Sequence, residues 1–401
     1  MPPAIPSALF LAVFIDLMGF GIVIPLLPIY AERLHATPFA AGGLIAVYSL
    51  MQLLFAPVWG RVSDRVGRRP VLLVSLCGSA ASYLLLAAAG SVPTLFGARL
   101  LAGIAGANIP VAQAYIADVT SSAERAAGMG MIGAAFGLGM VIGPAIGGGL
   151  SLIGPRVPEM FAAALCLGNV LLAFWRLPES LPASARGTGG FHHPLAPASL
   201  RAAIAPAGAS VLLATFFLVT LCFAVLEGTF SLAAAHRFGY SPAQVDGLWL
   251  YMGLVAVVVQ GWLVGRLARR VPERTMVAGG AAVLGLGLLW LPFTGGPGAL
   301  LAALGLVIGG QGLASPSLSS LISKTAGSRS HGQVLGVSQS LSAGGRVLGP
   351  AGGGFVFDRL GTGAPYLMAA ACAAGALGLI LPGMRQDRPT EDEARPLPRS
   401  G

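Results

Sequence analysis

Residues 275–323 contain no Asp, Glu, Lys or Arg. That gap constrains the fold more than any other feature of the chain. It is about twice the ~20 residues an α-helix needs to cross the hydrocarbon core of a bilayer. It divides at Thr294–Gly298, a turn-forming sequence. Two membrane helices joined by a short turn account for it. The rest of the chain follows suit. Only 10% of the 401 residues are charged and 55% are hydrophobic, with mean hydropathy +0.79. Soluble domains carry roughly 25% charged residues. The 58 glycines suit membrane helices, whose backbones approach closely at small residues.

Apolar segments of spanning length lie at 7–31, 39–61, 70–90, 93–117, 125–150 and 158–177. A second set lies at 207–234, 243–266, 273–293, 297–322, 331–357 and 363–383. The expected fold is all-α, with twelve transmembrane helices in two six-helix bundles. The expected divisions are 1–177, a cytoplasmic linker at 178–206, 207–384 and a disordered polar tail at 385–401. The first run has no basic region before it and no small-residue cleavage site, so it reads as a retained span. Of the 24 Lys and Arg, Arg99 and Arg346 fall inside spans. Arg33, Arg156, Arg237 and Arg359 fall in one set of turns, and the other 18 in the opposite set or the termini. Cytoplasmic turns carry the excess of positive charge. The reading is a multi-pass protein of the cell inner (plasma) membrane with both termini in the cytoplasm.

Other classes fit poorly. The net charge of +9 sits in short turns and forms no continuous basic face, which excludes nucleic acid as a partner. The four cysteines, Cys77, Cys166, Cys222 and Cys372, have no metal or redox spacing. The neighbours His192 and His193 lack further ligands, so no metal is expected. No nucleophile and base constellation appears, nor a phosphate-binding Gly-x-x-x-x-Gly-Lys-Ser/Thr run. No enzyme and no cofactor are expected.

The chain repeats itself at an offset of 205 or 206 residues. Gly60-Arg61 recurs as Gly265-Arg266, Gly143-Pro144 as Gly349-Pro350 and Pro110 as Pro316. Each half is one copy of a six-helix unit. The copies differ at one instructive place: Arg269 stands where the first half has Asp64.

Three groups of residues stand out. Asp16 and Glu227 lie inside the first and seventh spans. An ionised carboxylate there costs at least roughly 2.5–3.5 kcal/mol against lipid, so each should face a cavity or a partner. Arg99 and Arg346 are the intramembrane cations. Asn108, Gln113, Gln260, Gln311 and Gln339 are polar groups in spans that could bind a substrate or join helices. The second group is the turn Gly60, Asp64, Arg65, Gly67, Arg68 and Arg69, which reads as a packed latch. The third is the fifth span, where Gly139, Gly143 and Gly147 fall on one face and Pro144 removes a backbone donor. This smooth seam suits a gate and equally suits plain helix packing.

Over nearly its whole length the chain resembles the major facilitator superfamily, and within it the twelve-span drug/proton antiporters, especially the tetracycline/proton antiporters. The resemblance is carried by Asp16-Leu17-Met18-Gly19-Phe20-Gly21, by Gly60 to Arg69, by Gly97 to Ala107 around Arg99, and by Gly139 with Gly143-Pro144-Ala145-Ile146-Gly147. It implies a binding site between two parallel repeats near mid-membrane. It also implies proton transfer involving Arg99, and an Asp64 that latches onto the start of the eleventh helix near His331-Gly332-Gln333. The fifth-span motif is typical of exporters in the family. This chain departs from the tetracycline group in Ser82, where an acid stands beside the run Tyr83 to Leu86, and in Ala256, where a histidine stands. The ninth span carries no acid. The expected activity is proton-coupled efflux of a lipophilic or cationic small molecule by alternating access, with tetracycline itself disfavoured by these departures. A sugar or organic-acid facilitator or symporter, and a membrane receptor or scaffold without transport, are the alternatives. The partners are substrate, protons and the lipid bilayer.

Overall fold

The computed structural model describes residues 4–106, 109–120, 125–186, 208–325 and 331–386. The first six spans begin with α1 (Ala4–Val23) and α2 (Leu27–Arg33), a single crossing bent by 42°. Pro25 and Pro28 sit at the break, where each removes a backbone donor. They continue with α3 (Pro38–Val66), α4 (Arg68–Ala87), the pair α5 (Val92–Ala105) and α6 (Ile109–Val119), α7 (Arg125–Ser151) and α8 (Val157–Arg176).

The second six are α9 (Ala209–Phe238), then α10 (Pro242–Val258) running through a π-turn at Val259–Leu263 into α11 (Val264–Leu267), then α12 (Glu273–Trp290), α13 (Pro297–Thr325), α14 (His331–Leu360) and α15 (Ala364–Gln386). Among the described residues, nine of these helices are long and apolar enough to cross a membrane, and the bent first pair makes ten. The long helices α7 and α14 complete twelve crossings in two six-helix bundles. Most of 178–206 and of the tail lie outside the described residues.

Local chemistry sets several boundaries. Thr37 caps α3 by accepting from the Ala40 N–H at 3.2 Å, with Pro38 opening the helix. Ser241 and Gln244 form a reciprocal capping box at α10, with Pro242 opening the helix. The basic run corrects the expected boundary. It is not a loop from Gly60 onward, because α3 continues through Val66 and only Gly67 separates it from α4. Gly67 adopts φ 110°, a region that favours glycine. The first turn of α4 is held by the Glu179 carboxylate, which accepts from the Arg68 and Arg69 N–H groups at 2.8 and 3.3 Å. A carboxylate at a helix N-terminus satisfies donors that otherwise have no partner.

The repeat in sequence is a repeat in packing. In the first bundle α7 lies along α1, and in the second α14 lies along α9. A Cβ at Gly143 would stand 2.6 Å from the Gly21 carbonyl carbon, and one at Gly349 would stand 2.6 Å from the Ala224 Cβ. The two bundles meet at the end away from the basic turn. Phe39 and Phe355 rings are 6.1 Å apart in T-shaped contact. A Cβ at Gly354 would fall 2.5 Å from the Pro38 carbonyl oxygen. Glu32 pairs with His236 across the same rim.

Candidate functional site

Arg99 is the centre of the first bundle. It lies on α5, only 2% exposed. Its guanidinium sits 4.4 Å from the centroid of the Tyr48 ring, a cation–π contact strengthened by the absence of water. Its Nε donates to the Leu44 carbonyl at 3.4 Å. Nη2 has no hydrogen-bond partner among the described residues. Leu44, Tyr48 and Gln52 fall four residues apart on α3, so they share a face. The Gln52 amide donates to the Gly106 carbonyl at 3.0 Å and the Tyr48 hydroxyl at 3.4 Å. Phe20 closes on Tyr48 with ring centroids 5.2 Å apart.

Beside this cluster is a small cavity lined by Asp16, Phe20, Tyr48, Ser79, Ser82 and Arg99 among others. All its walls belong to the first bundle. The second bundle contributes through charge. Tyr48 lies in the field of Arg99, Asp16, Arg346 and Glu227. Glu227 in turn feels Arg346 first and Arg99 second. The four intramembrane charges expected from sequence therefore form one neighbourhood fed by α1, α5, α9 and α14. Asp16, Glu227 and Arg346 are half-buried, as suits groups that must meet both protein and solvent.

The polar candidates separate. Gln311 on α13 is half-buried, with Oε1 unpartnered among the described residues. Gln113, Gln260 and Gln339 are exposed. Asn108 lies outside the described residues. Tyr48 and Gln52, which the sequence motifs do not single out, do most to place Arg99. The signal available was a tyrosine and a glutamine spaced four apart within a span.

The basic turn is a network centred on Arg68. Its Nη1 donates to Asp64 at 2.5 Å and to the Ser63 hydroxyl at 2.6 Å, while Nε donates to Asp118 on α6 at 3.1 Å. Asp118 also accepts from the Ser180 hydroxyl at 3.0 Å. Arg69 donates to the Phe174 carbonyl at 2.5 Å and stacks 5.2 Å over the Phe174 ring. Arg186 approaches Glu179 at 4.0 Å. Arg65 points away and is exposed. The turn thus ties α3, α4, α6, α8 and the chain after α8 together. The side chains at 331–333, the expected partner of Asp64, lie outside the described residues. Asp64 is 47% exposed at its side chain.

The glycine face of α7 rests mainly on its own bundle. Cβ atoms at Gly139 and Gly143 would meet the α1 backbone at Leu17 and at Gly21 and Ile22. Pro144 is buried. Its neighbouring faces reach the second bundle, where Met140 and Val141 abut Gly253 and, nearer the end, Gly147 and Gly148 abut Asp246.

Twelve helices in two repeated bundles, mostly apolar and with a charged cavity inside the first, define a membrane carrier. The family model described as Major Facilitator Superfamily matches residues 9–350, and the chain belongs to that superfamily. It is 36% identical over 351 residues to the class E tetracycline resistance protein of Escherichia coli, covering 84% of each chain. It is 29% identical over 386 residues to multidrug resistance protein 2 of Bacillus subtilis (strain 168), covering 92% of each. Among solved structures, the human organic anion transporter MFSD10 (TETRAN) matches with TM-score 0.71 and 29% identity, over 95% of this chain and 100% of that one. The protein is a multi-pass membrane transporter.

Proposed function

We propose that the protein is a proton-coupled exporter of a lipophilic or cationic small molecule, working by alternating access. The observation that carries this reading is the shared neighbourhood of Asp16, Arg99, Tyr48, Glu227 and Arg346. A carboxylate moved between water and a low-dielectric surrounding gains and loses its proton as it moves. Asp16 is the proton-exchanging acid, and a cationic substrate competes for its ionised form. Arg99 tunes it, held by Tyr48. Glu227 and Arg346 supply the second bundle's side of the cavity, with Gln311 as a polar contact. The efflux direction is supported by relatives that bear the names tetracycline and multidrug resistance proteins.

The protein sits in the cell inner membrane with the Arg-rich turns and both termini in the cytoplasm. In that orientation the rim of Phe39, Phe355, Glu32 and His236 faces outward, and this conformation is closed to the outside. Two bodies, 1–177 and 207–384, rock about this seam. Asp64, Arg68 and Arg69, with Gly60, Arg65 and Gly67, form the latch of the opposite face, and the glycine face of α7 with Pro144 lets α1 and α7 slide.

Reconstitution into vesicles with an imposed pH gradient tests this. Substrate-induced proton release should occur in the wild type and vanish in Asp16→Asn, while the variant still expresses. Unimpaired coupling in Asp16→Asn would remove the assignment. A second reading, transport of an organic anion, is favoured by the two intramembrane arginines and by the likeness to the human organic anion transporter. A panel holding both lipophilic cations and organic anions separates the two.

A further inference from the structure

At the closed rim the bundles meet over two acids that lie outside the central cavity. Glu159 stands in the first turn of α8 and Asp246 in the second turn of α10, and each is only 1% exposed. Both carboxylate oxygens of Asp246, and Oε2 of Glu159, are buried with no hydrogen-bond partner among the described residues. Asp246 belongs to the second bundle but is seated on the first. A Cβ at Gly148 would lie 2.9 Å from the Asp246 Cβ, and one at Gly147 would lie 3.5 Å from its Oδ2. Glu159 belongs to the first bundle, and its charge reaches Asp246.

The surrounding elements offer little compensation. The α7 residues under Asp246 are glycines. α13 carries no charged residue before Lys324. Arg33 from α2 acts on Glu159, whereas the charge that reaches Asp246 is that of Glu159. Glu32 and His236 pair with each other, and Arg156 lies just outside α8. Two ionised carboxylates buried within reach of each other's charge, with three of their four oxygens lacking a donor, face both desolvation and mutual repulsion, which protonation relieves.

We propose that Glu159 and Asp246 form a second proton-binding site, built across the two bundles, that must be loaded before this end of the protein can seal. When the rim opens, Asp246 leaves Gly147 and Gly148, both carboxyls meet water and each can lose a proton to it. When the rim closes, protons are taken back from the same aqueous side. The site's contribution to transport rests on the antiport reading: it would make the return of the empty carrier depend on protons outside. The loading of the site does not depend on that reading.

Spin labels at Ile153 and Leu360, which are exposed on this rim at 75% and 73%, report the closure by pulsed electron paramagnetic resonance. The full chain, cleared of its native cysteines, is placed in lipid nanodiscs without substrate or gradient. The wild type should lose its short-distance population as pH rises. Asp246→Asn/Glu159→Gln should keep it at every pH, and its infrared spectrum should lose part of the protonated-carboxyl band. A wild type indifferent to pH, a double variant that opens like the wild type, or an unchanged infrared band would each overturn the site. Asp16→Asn should retain the pH-dependent opening. A protein that opens with pH yet exchanges no protons for substrate would overturn the antiport reading and leave this site standing.

Discussion

The contact between α1 and α7 allows a controlled test, because one helix carries both crowded and open glycines. At Gly143 an added Cβ would lie 2.6, 2.7 and 2.8 Å from the Gly21 carbonyl carbon, the Gly21 Cα and the Ile22 nitrogen. All three are backbone atoms, so no side chain can turn aside. The two helices would have to separate. Overpacking costs roughly 1–3 kcal/mol, and three backbone obstructions place Gly143→Ala at the upper end. Alanine gains back about 1 kcal/mol of helix propensity. The net loss is about 2 kcal/mol, which lowers the folded-to-unfolded ratio by roughly 30-fold.

Gly137 and Gly149 lie on the same helix with nothing within 4 Å of an added Cβ. There alanine should be neutral or slightly stabilising. The assay is thermal unfolding in detergent, read by cysteine labelling of the buried Cys166 and Cys222. Gly143→Ala should melt well below the wild type, while Gly137→Ala and Gly149→Ala should not. If Gly143→Ala melted with the two controls, the close approach of α1 and α7 would be refuted.

Arg68→Lys should cost about 1 kcal/mol, because a point charge cannot serve Asp64, Asp118 and Ser63 in three directions. Arg65→Ala, on the exposed face, should fall within about 0.5 kcal/mol of the wild type, and limited proteolysis at the basic turn should rank the two. Ser241→Ala should destabilise the start of α10 by about 1 kcal/mol through loss of its capping box, and faster hydrogen exchange over 242–246 would report it.

Long charge-free runs made the twelve crossings readable, because lipid allows few alternatives to a helix. The glycine spacing marked a close-packing face on α7, but its partner, α1 of the same bundle, was not legible in the sequence. The central charges were readable for the same reason as the spans: Asp16, Arg99, Glu227 and Arg346 stand out where charge is costly. Other features depended on tertiary contacts. The start of α4 at Arg68 is held by Glu179, 111 residues further along the chain. Tyr48 and Gln52 looked like ordinary span residues until Arg99 lay against them. Glu159 and Asp246 sit near the ends of apolar runs, where a charge reads as the approach of a loop. Asp246 is covered where its helix crosses onto α7 of the first bundle.

Glu179 also decides where the chain can be divided. The spans alone would place a cut after Leu177, beyond the last helix of the first bundle. Yet Tyr115 donates to the Pro178 carbonyl at 2.8 Å, Glu179 holds the start of α4, and Ser180 reaches Asp118. Residues 178–186 are thus stitched to the first bundle. Two separately made fragments should reassemble when the break falls after Arg186. A break after Leu177 would hand the second fragment a strip of chain on which the first depends.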